Sequence, residues 1–317
     1  MNEAVTALAG QLERDLSAYP AIARVFGEVL AIWPEHQRYI AKSFAGRADA
    51  VWDTTEALAQ AALVLVGDRL PQIVENYRWT CDRLREEELH FHRTGEYRLK
   101  TFAEADAEVY ANAAYMEQYV DGLLMSQLLW FNHAASCEFF LSTAPRLLPA
   151  GARMLEIGPG HGLMTYLALR DFQLGSAVAW DISPVSIEQT RHALAKLGRE
   201  DVEFGVRDLM AVRPGEDLFD FVVLSEVLEH VEDPKQALRQ VRGLLRDDGL
   251  LFVNVPINSP SPDHLYLMKS VEDARALLED TGFAIVDQGV FPSQGLSLEK
   301  ALRNQATVSI CLFGRKS

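Results

Sequence analysis

The stretch MLEIGPGHGLMT, residues 154–165, concentrates the residue types that could hold a small ligand. An apolar run ends at Glu156, and Gly158, Gly160 and Gly162 follow at alternate positions. Glycine adopts backbone conformations that side chains oppose and lets a ligand come close to the chain. A helical pattern begins at Leu163, so the unpaired N–H groups of its first turn are offered to the same ligand. The spacing is not the dinucleotide fingerprint G-x-G-x-x-G, whose third glycine would fall where Leu163 stands. Downstream, Asp181 closes the apolar run 177–180. A carboxylate at a strand end accepts hydrogen bonds from both hydroxyls of a ribose.

The pattern E-x-G-x-G-x-G resembles the first motif of the class I S-adenosylmethionine (SAM)-dependent methyltransferases, and the runs that follow extend the likeness in order. Residues 202–206 lead into Arg207-Asp208-Leu209. Residues 219–224 lead into Ser225-Glu226-Val227-Leu228-Glu229-His230, similar to the family's fourth motif, whose loop lies beside the reactive methyl group. A fifth run, 250–255, follows the turn signal Asp247-Asp248-Gly249. The resemblance implies SAM as cofactor and S-adenosylhomocysteine as product. It implies that Glu156, Gly158, Gly160, Gly162, Asp181, Ile182, Asp208, Leu209 and Ser225 bind the cofactor, with Asp208 at the adenine amino group. A non-catalytic SAM-binding partner subunit would carry a degraded motif, yet these acids and glycines are present. A nicotinamide oxidoreductase is opposed by the glycine spacing.

Methyl transfer from a sulfonium is an in-line displacement on an activated donor, so the protein aligns the acceptor, excludes water and removes a proton. His264, in the proline-rich loop after the fifth run, is the first candidate base; a loop histidine that closes the pocket or caps a helix is the plain alternative. His230 and Glu226 come next, although Glu-His-Val recurs across the family with different substrates, which favours a helix-orienting or packing role. His161, inside the glycine turn, is expected to face cofactor or solvent. Tyr115 and Tyr119 share a helix face, with Tyr110, Glu117 and Asp121 nearby; Ser126, Trp130, His133 and Cys137 are spaced by four, three and four to share another. Tyr115, Tyr119, Trp130, His133 and Asn258 are the candidate acceptor contacts. Rings beside carboxylates suit a cationic group, which makes N-methylation of an amino or guanidino group, as in an arginine-like amino acid, the first reading. O-methylation of a hydroxylated secondary metabolite is the alternative. His90 and His92, two apart on a helix, do not face one another, and no metal is expected.

These residues need a scaffold, and the pattern supplies an α/β one: a seven-stranded Rossmann-like methyltransferase sheet with its last strand antiparallel, preceded by an all-helical N-terminal region. The division falls at 1–148 and 149–317, near Ala144-Pro145 and Pro149-Ala150-Gly151. Helices are expected over 163–172, 184–197, 234–246 and 270–280, strands over 284–290 and 307–313, and a hairpin connection over 291–305. Upstream, Pro20 and Pro71 sit where helices begin, Asp53 and Glu56 have capping spacing, Gly67 ends a helix, and further helices span 70–92, 103–121 and 123–142. This region is a lid, a dimer interface or both. A hydrophobic content of 49% against 24% charged residues is that of a globular chain. A net charge of −15 with scattered Arg and Lys excludes nucleic acid as a natural partner and leaves a small-molecule acceptor. Three cysteines without metal or disulfide spacing fit a reducing cytoplasm. No apolar run reads as a membrane span, and the N-terminus reads as an amphipathic helix, not a signal peptide.

Overall fold

The computed structural model describes residues 3–213, 215 and 217–316. The chain opens with helices α1 (Glu3–Leu12), α2 (Pro20–Ile32), α3 (Gln37–Phe44), α4 (Asp49–Val66) and α5 (Leu70–Thr94). A short helix α6 (Phe102–Ala105) runs into a π-helical turn, Asp106–Tyr110. Then come α7 (Ala113–Leu129) and α8 (Phe131–Leu147). Strands and helices alternate from there: β1 (Ala152–Ile157), α9 (Leu163–Asp171), β2 (Leu174–Asp181), α10 (Pro184–Lys196), β3 (Val202–Val206) and β4 (Phe219–Ser225). They continue with α11 (Pro234–Leu244), β5 (Leu245–Ile257), α12 (Val271–Glu279), β6 (Phe283–Pro292), α13 (Leu298–Arg303) and β7 (Val308–Lys316).

Among the described residues, seven strands form one sheet in the order β3-β2-β1-β4-β5-β7-β6. The first five run parallel, and β7 is antiparallel to both β5 and β6. Central parallel strands are covered on both faces and so read as unbroken apolar runs. On one face Leu155, Val222 and Leu251 pack with Leu238 and Val241 of α11. On the other, Met154, Phe221, Phe252 and Phe313 pack with Phe140 of α8, whose ring lies 4.9 Å from that of Phe252. The parallel order directs the carboxyl ends of β1, β2, β4 and β5 to one edge, where ligands of open α/β sheets bind.

In the helical region, tertiary contacts override several local signals. Asp53 lies inside α4, which starts at Asp49, so its spacing to Glu56 is not a cap of that helix. Glu56 instead accepts the backbone N–H groups of Ala21 and Ile22 at 2.9 and 3.0 Å, capping α2 across the fold. The helices expected over 103–121 and 123–142 are cut elsewhere. Asn112 caps α7 by accepting the N–H of Tyr115, and α7 runs on to Leu129. There the last carbonyls are taken by Ser43, 2.6 Å from Leu129 O, and by Arg47, 3.2 Å from Leu128 O. A helix end satisfied from outside need not continue, and Trp130 is extended (φ −93°, ψ 131°). Pro145 lies within α8, and the segment 291–305 holds α13 in place of a plain hairpin. One helical stretch, Asp49–Thr94, is long and apolar enough by length and composition to cross a membrane, with 44% of its most apolar window buried in the molecule.

Candidate active site

Gly158, Gly160 and Gly162 all take positive φ, between 51° and 71°. At Gly158 the requirement is double, because a Cβ would also stand 2.9 Å from Cγ2 of Val227, in the loop after β4. The glycine turn and that loop are therefore in contact. Asp181, at the end of β2, accepts the N–H of Ser183 at 2.8 Å, and burial raises its pKa. Ile182 beside it is 54% exposed, an apolar side chain left facing outward at the sheet edge. Asp208 caps the turn after β3 by accepting the N–H of Met210 at 2.8 Å, with Leu209 buried behind it. Glu156 is placed differently from the others. It is 3% exposed, and Thr165 of α9 donates a hydrogen bond to its carboxylate. Burial raises its pKa to about 7. Its carboxylate thus braces β1 against α9. His161 has its Nε2 2.8 Å from Val120 O, which docks the glycine turn on α7.

The loops after β4 and β5 both begin on a non-glycine residue with positive φ, Glu226 (55°) and Asn258 (47°). Such residues are uncommon and bend the chain sharply. Asn258 is buried and engaged through its backbone by Met268 and Thr307. The bends bring Glu226, Glu229 and His230 against Asp263 and His264. Leu265 and Tyr266 donate their N–H groups to Glu229 O at 2.8 and 3.0 Å and lock the two loops together. The His230 and His264 rings meet edge to face, centroids 4.8 Å apart.

His264 is 6% exposed. Its Nδ1 lies 2.6 Å from Ser259 O, a carbonyl that can only accept, so Nδ1 carries the proton and Nε2 keeps a lone pair. Burial, with the neighbouring His230, lowers its pKa to about 3. His230 Nδ1 lies 3.1 Å from Asp263 O and 3.2 Å from the Tyr110 hydroxyl, with Nε2 3.9 Å from Oε1 of Glu229. Burial would raise the pKa of Asp263, but both histidines and the hydroxyls of Tyr119 and Ser261 outweigh it and hold the carboxyl low. Glu226 and Glu229 have the opposite balance. Burial raises Glu226 to about 7, and burial together with Glu226 raises Glu229 well above the usual carboxylate range. Oε1 of Glu226 and both oxygens of Glu229 are buried without a hydrogen-bond partner. Buried polar atoms are nearly always paired, so these three oxygens in one place make this edge the candidate ligand site. Ligand atoms of Glu229, His230 and His264 lie within 4.8 Å of one another, close enough to hold a metal ion. His90 and His92 lie apart from this cluster, with His92 4.0 Å from Glu88 on the exposed helix surface.

The helical region closes this edge. Tyr119 of α7 donates to Asp263 at 2.9 Å, and Tyr110, the last residue of the π-helical turn, donates to its other oxygen at 3.2 Å. Tyr97 accepts the N–H of Ser259 at 2.9 Å. Tyr115 stacks edge-on against Trp79 and lies beside Tyr119. Asp121 is turned away, bound to Arg69 and Asn76 at 2.8 Å each, and Glu117 is exposed, 3.9 Å from Arg69. Trp130 and His133 belong to a second cluster. Trp130 donates to the Tyr77 hydroxyl at 2.9 Å, and that hydroxyl lies 3.0 Å from His36. Although the helix breaks at Trp130, Ser126 still meets His133 at 3.2 Å. The sequence reading missed Asp263 and Tyr97; an acid next to a candidate histidine was the available signal for the first.

Residues 131–305 match a family described as a methyltransferase domain. A ubiquinone biosynthesis O-methyltransferase of Xanthomonas axonopodis pv. citri (strain 306) is 36% identical over 139 residues, 43% of this chain and 56% of that protein. Its counterpart in Xanthomonas campestris pv. campestris (strain B100) is 35% identical over 141 residues, 44% and 57% of the two chains. The matches thus span little more than half the length of these curated relatives. Among solved structures, Burkholderia thailandensis 1,6-didemethyltoxoflavin-N1-methyltransferase, with bound 1,6-didemethyltoxoflavin and S-adenosylhomocysteine, superposes with a TM-score of 0.51. It is 20% identical, and the superposition covers 70% of this chain and 93% of that one, a likeness of fold.

Proposed function

The chain belongs to the methyltransferase domain family, which uses SAM, and from that premise we propose that it transfers the methyl group to a hydroxyl of a small acceptor, with Glu226 as the general base. The observation that carries this is the set of orphaned carboxylate oxygens on Glu226 and Glu229, at the same sheet edge as the glycine turn. A hydroxyl must lose its proton as its oxygen attacks, and a buried, unpaired carboxylate is suited to take it. The acceptor oxygen bonds to the methyl carbon. The sulfur–carbon bond breaks with its electron pair left on sulfur, which turns the sulfonium into the thioether of S-adenosylhomocysteine, and the proton passes to Glu226. His264 does not serve as the base, because burial with the neighbouring His230 lowers its pKa to about 3. The O-methyltransferases among the relatives support the same choice. The cationic-acceptor reading loses its anionic wall, because Asp121 is bound to Arg69 and Asn76 and Tyr119 is bound to Asp263.

At the other end of the cleft, Asp181 takes the ribose hydroxyls, Ile182 and Leu209 flank the adenine, and Asp208 takes its amino group. Gly158, Gly160 and Gly162 admit the methionine part, and Ser225 lines the path to the methyl. The test is Glu226→Gln. Turnover should fall by roughly 10²–10⁴-fold while SAM affinity by calorimetry changes by no more than a few-fold. Unaltered turnover would remove Glu226 from the chemistry.

A further inference from the structure

We propose that Glu229, His230 and His264 bind a divalent cation, open on the side of Glu226, and that this cation takes the acceptor oxygen. The inference rests on the hydroxyl reading above and gives that site a second electrophile.

Three observations point to a cation. First, the ligand atoms already converge: they lie within 4.8 Å of one another, and Nε2 of His230 stands 3.9 Å from Oε1 of Glu229. Ligands at about 2.1 Å from a metal are separated by about 3.0 Å when adjacent and about 4.2 Å when opposite, so a small inward movement completes the sphere. Second, both imidazoles are held by the nitrogen that a metal would not use. His264 Nδ1 is fixed by Ser259 O, and His230 Nδ1 faces Asp263 O and the Tyr110 hydroxyl. That is how metal-ligating histidines are oriented, with the second nitrogen anchored to a carbonyl or carboxylate. Third, Glu229 is 0% exposed, yet both its oxygens lack a partner, and the buried Oε1 of Glu226 lacks one too. A divalent cation is a group that would take the lone pairs the fold leaves open on Glu229.

Two imidazoles and one carboxylate leave coordination positions open, as in catalytic rather than structural sites. The ligand set suits the Mn2+, Fe2+ and Zn2+ class. The cation polarises the acceptor hydroxyl, Glu226 receives the proton, and the oxygen attacks the methyl carbon; no redox change is involved. Asp263 joins this site to the helical region, since the carboxylate that faces His230 also holds Tyr110 and Tyr119.

The experiment is titration of the full chain, dialysed against chelator, with Mn2+ alone, followed by calorimetry and by electron paramagnetic resonance. One ion should bind per chain and raise the melting temperature. Glu229→Gln and His264→Ala should each weaken Mn2+ binding about tenfold or more, with S-adenosylhomocysteine affinity kept within a few-fold as the measure of intact fold. Glu229→Gln keeps the size of a side chain whose oxygens have no partner in the fold, so without metal it should melt no lower than the parent chain. Absence of saturable binding of Mn2+, or equal binding by the parent and both variants, would overturn the proposal. The two readings separate cleanly. One bound ion with methyl delivered to nitrogen keeps the cation site and removes the hydroxyl reading. Hydroxyl methylation by a chain that binds no ion does the reverse.

Discussion

Two histidine–tyrosine clusters among the described residues end differently. In the helical region the Tyr77 hydroxyl serves both His36 and Trp130, and His133 is met by Ser126. No carboxylate takes part in those contacts, and burial alone lowers His36 and His133 to pKa values of about 4. At the sheet edge, His230 and His264 stand against three carboxylates, Glu229 and Asp263 buried and Glu226 partly so. One of these, Asp263, is fully engaged, while Glu226 and Glu229 retain oxygens with no partner. A polar cluster whose hydrogen bonds close on themselves specifies packing; one left open at a ligand cleft is arranged for something that comes and goes.

The comparison is sharpened first by a change that touches neither cluster. Asp181→Ala removes the acceptor for the ribose hydroxyls and should weaken SAM binding by about 2–4 kcal/mol, from two hydrogen bonds to a charged group. Calorimetry reads this directly, and the bound complex should still turn over. Unchanged affinity would place the ribose elsewhere.

A second change concerns a buried carboxylate that does have a partner. Glu156, bound by Thr165, has its pKa raised by burial from 4.5 to about 7. The folded chain therefore holds this proton more tightly than the unfolded chain between those values. Wild-type stability, relative to Glu156→Gln, is fully present below about pH 4.5 and is lost as pH rises through about 7. The whole loss is about 3 kcal/mol, at about 1.4 kcal/mol per pKa unit. Denaturant unfolding of both chains across that range, without cofactor, checks it. A pH-independent gap would mean that folding leaves the pKa of Glu156 unshifted.

The smallest effect comes from breaking the closed cluster. Tyr77→Phe leaves the buried nitrogens of His36 and Trp130 without the hydroxyl they share and should cost about 2 kcal/mol of stability. Below the melting transition, methyl transfer should stay within a few-fold. A selective loss of turnover would show that the helical cluster belongs to the acceptor site after all.

The two clusters also differ in how far the sequence discloses them. The glycine turn, Asp181, Asp208 and the loop from Ser225 were legible because each stands at the end of a short apolar run. Central parallel strands, buried on both faces, make such runs conspicuous. The closing contacts were not legible. Tyr110 and Tyr119 reach Asp263 across 153 and 144 residues, and nothing in local spacing encodes such a meeting. The helix through Trp130 failed for a related reason. Continuous periodicity predicts one face shared by Ser126, Trp130, His133 and Cys137, but Ser43 and Arg47 take the carbonyls at Leu128 and Leu129 and end α7 there. The engagement of Glu117 and Asp121 by Arg69 was hidden in the same way, because Arg69 is distant in sequence.

The most direct measurement supplies SAM labelled in its methyl group with a panel of phenols, aliphatic alcohols, amines and arginine, heat-inactivated protein serving as blank. The account predicts label recovered as a methyl ether on a hydroxylated acceptor and lost in Glu226→Gln. Label recovered on an amine or guanidine nitrogen, undiminished by that substitution, would contradict it.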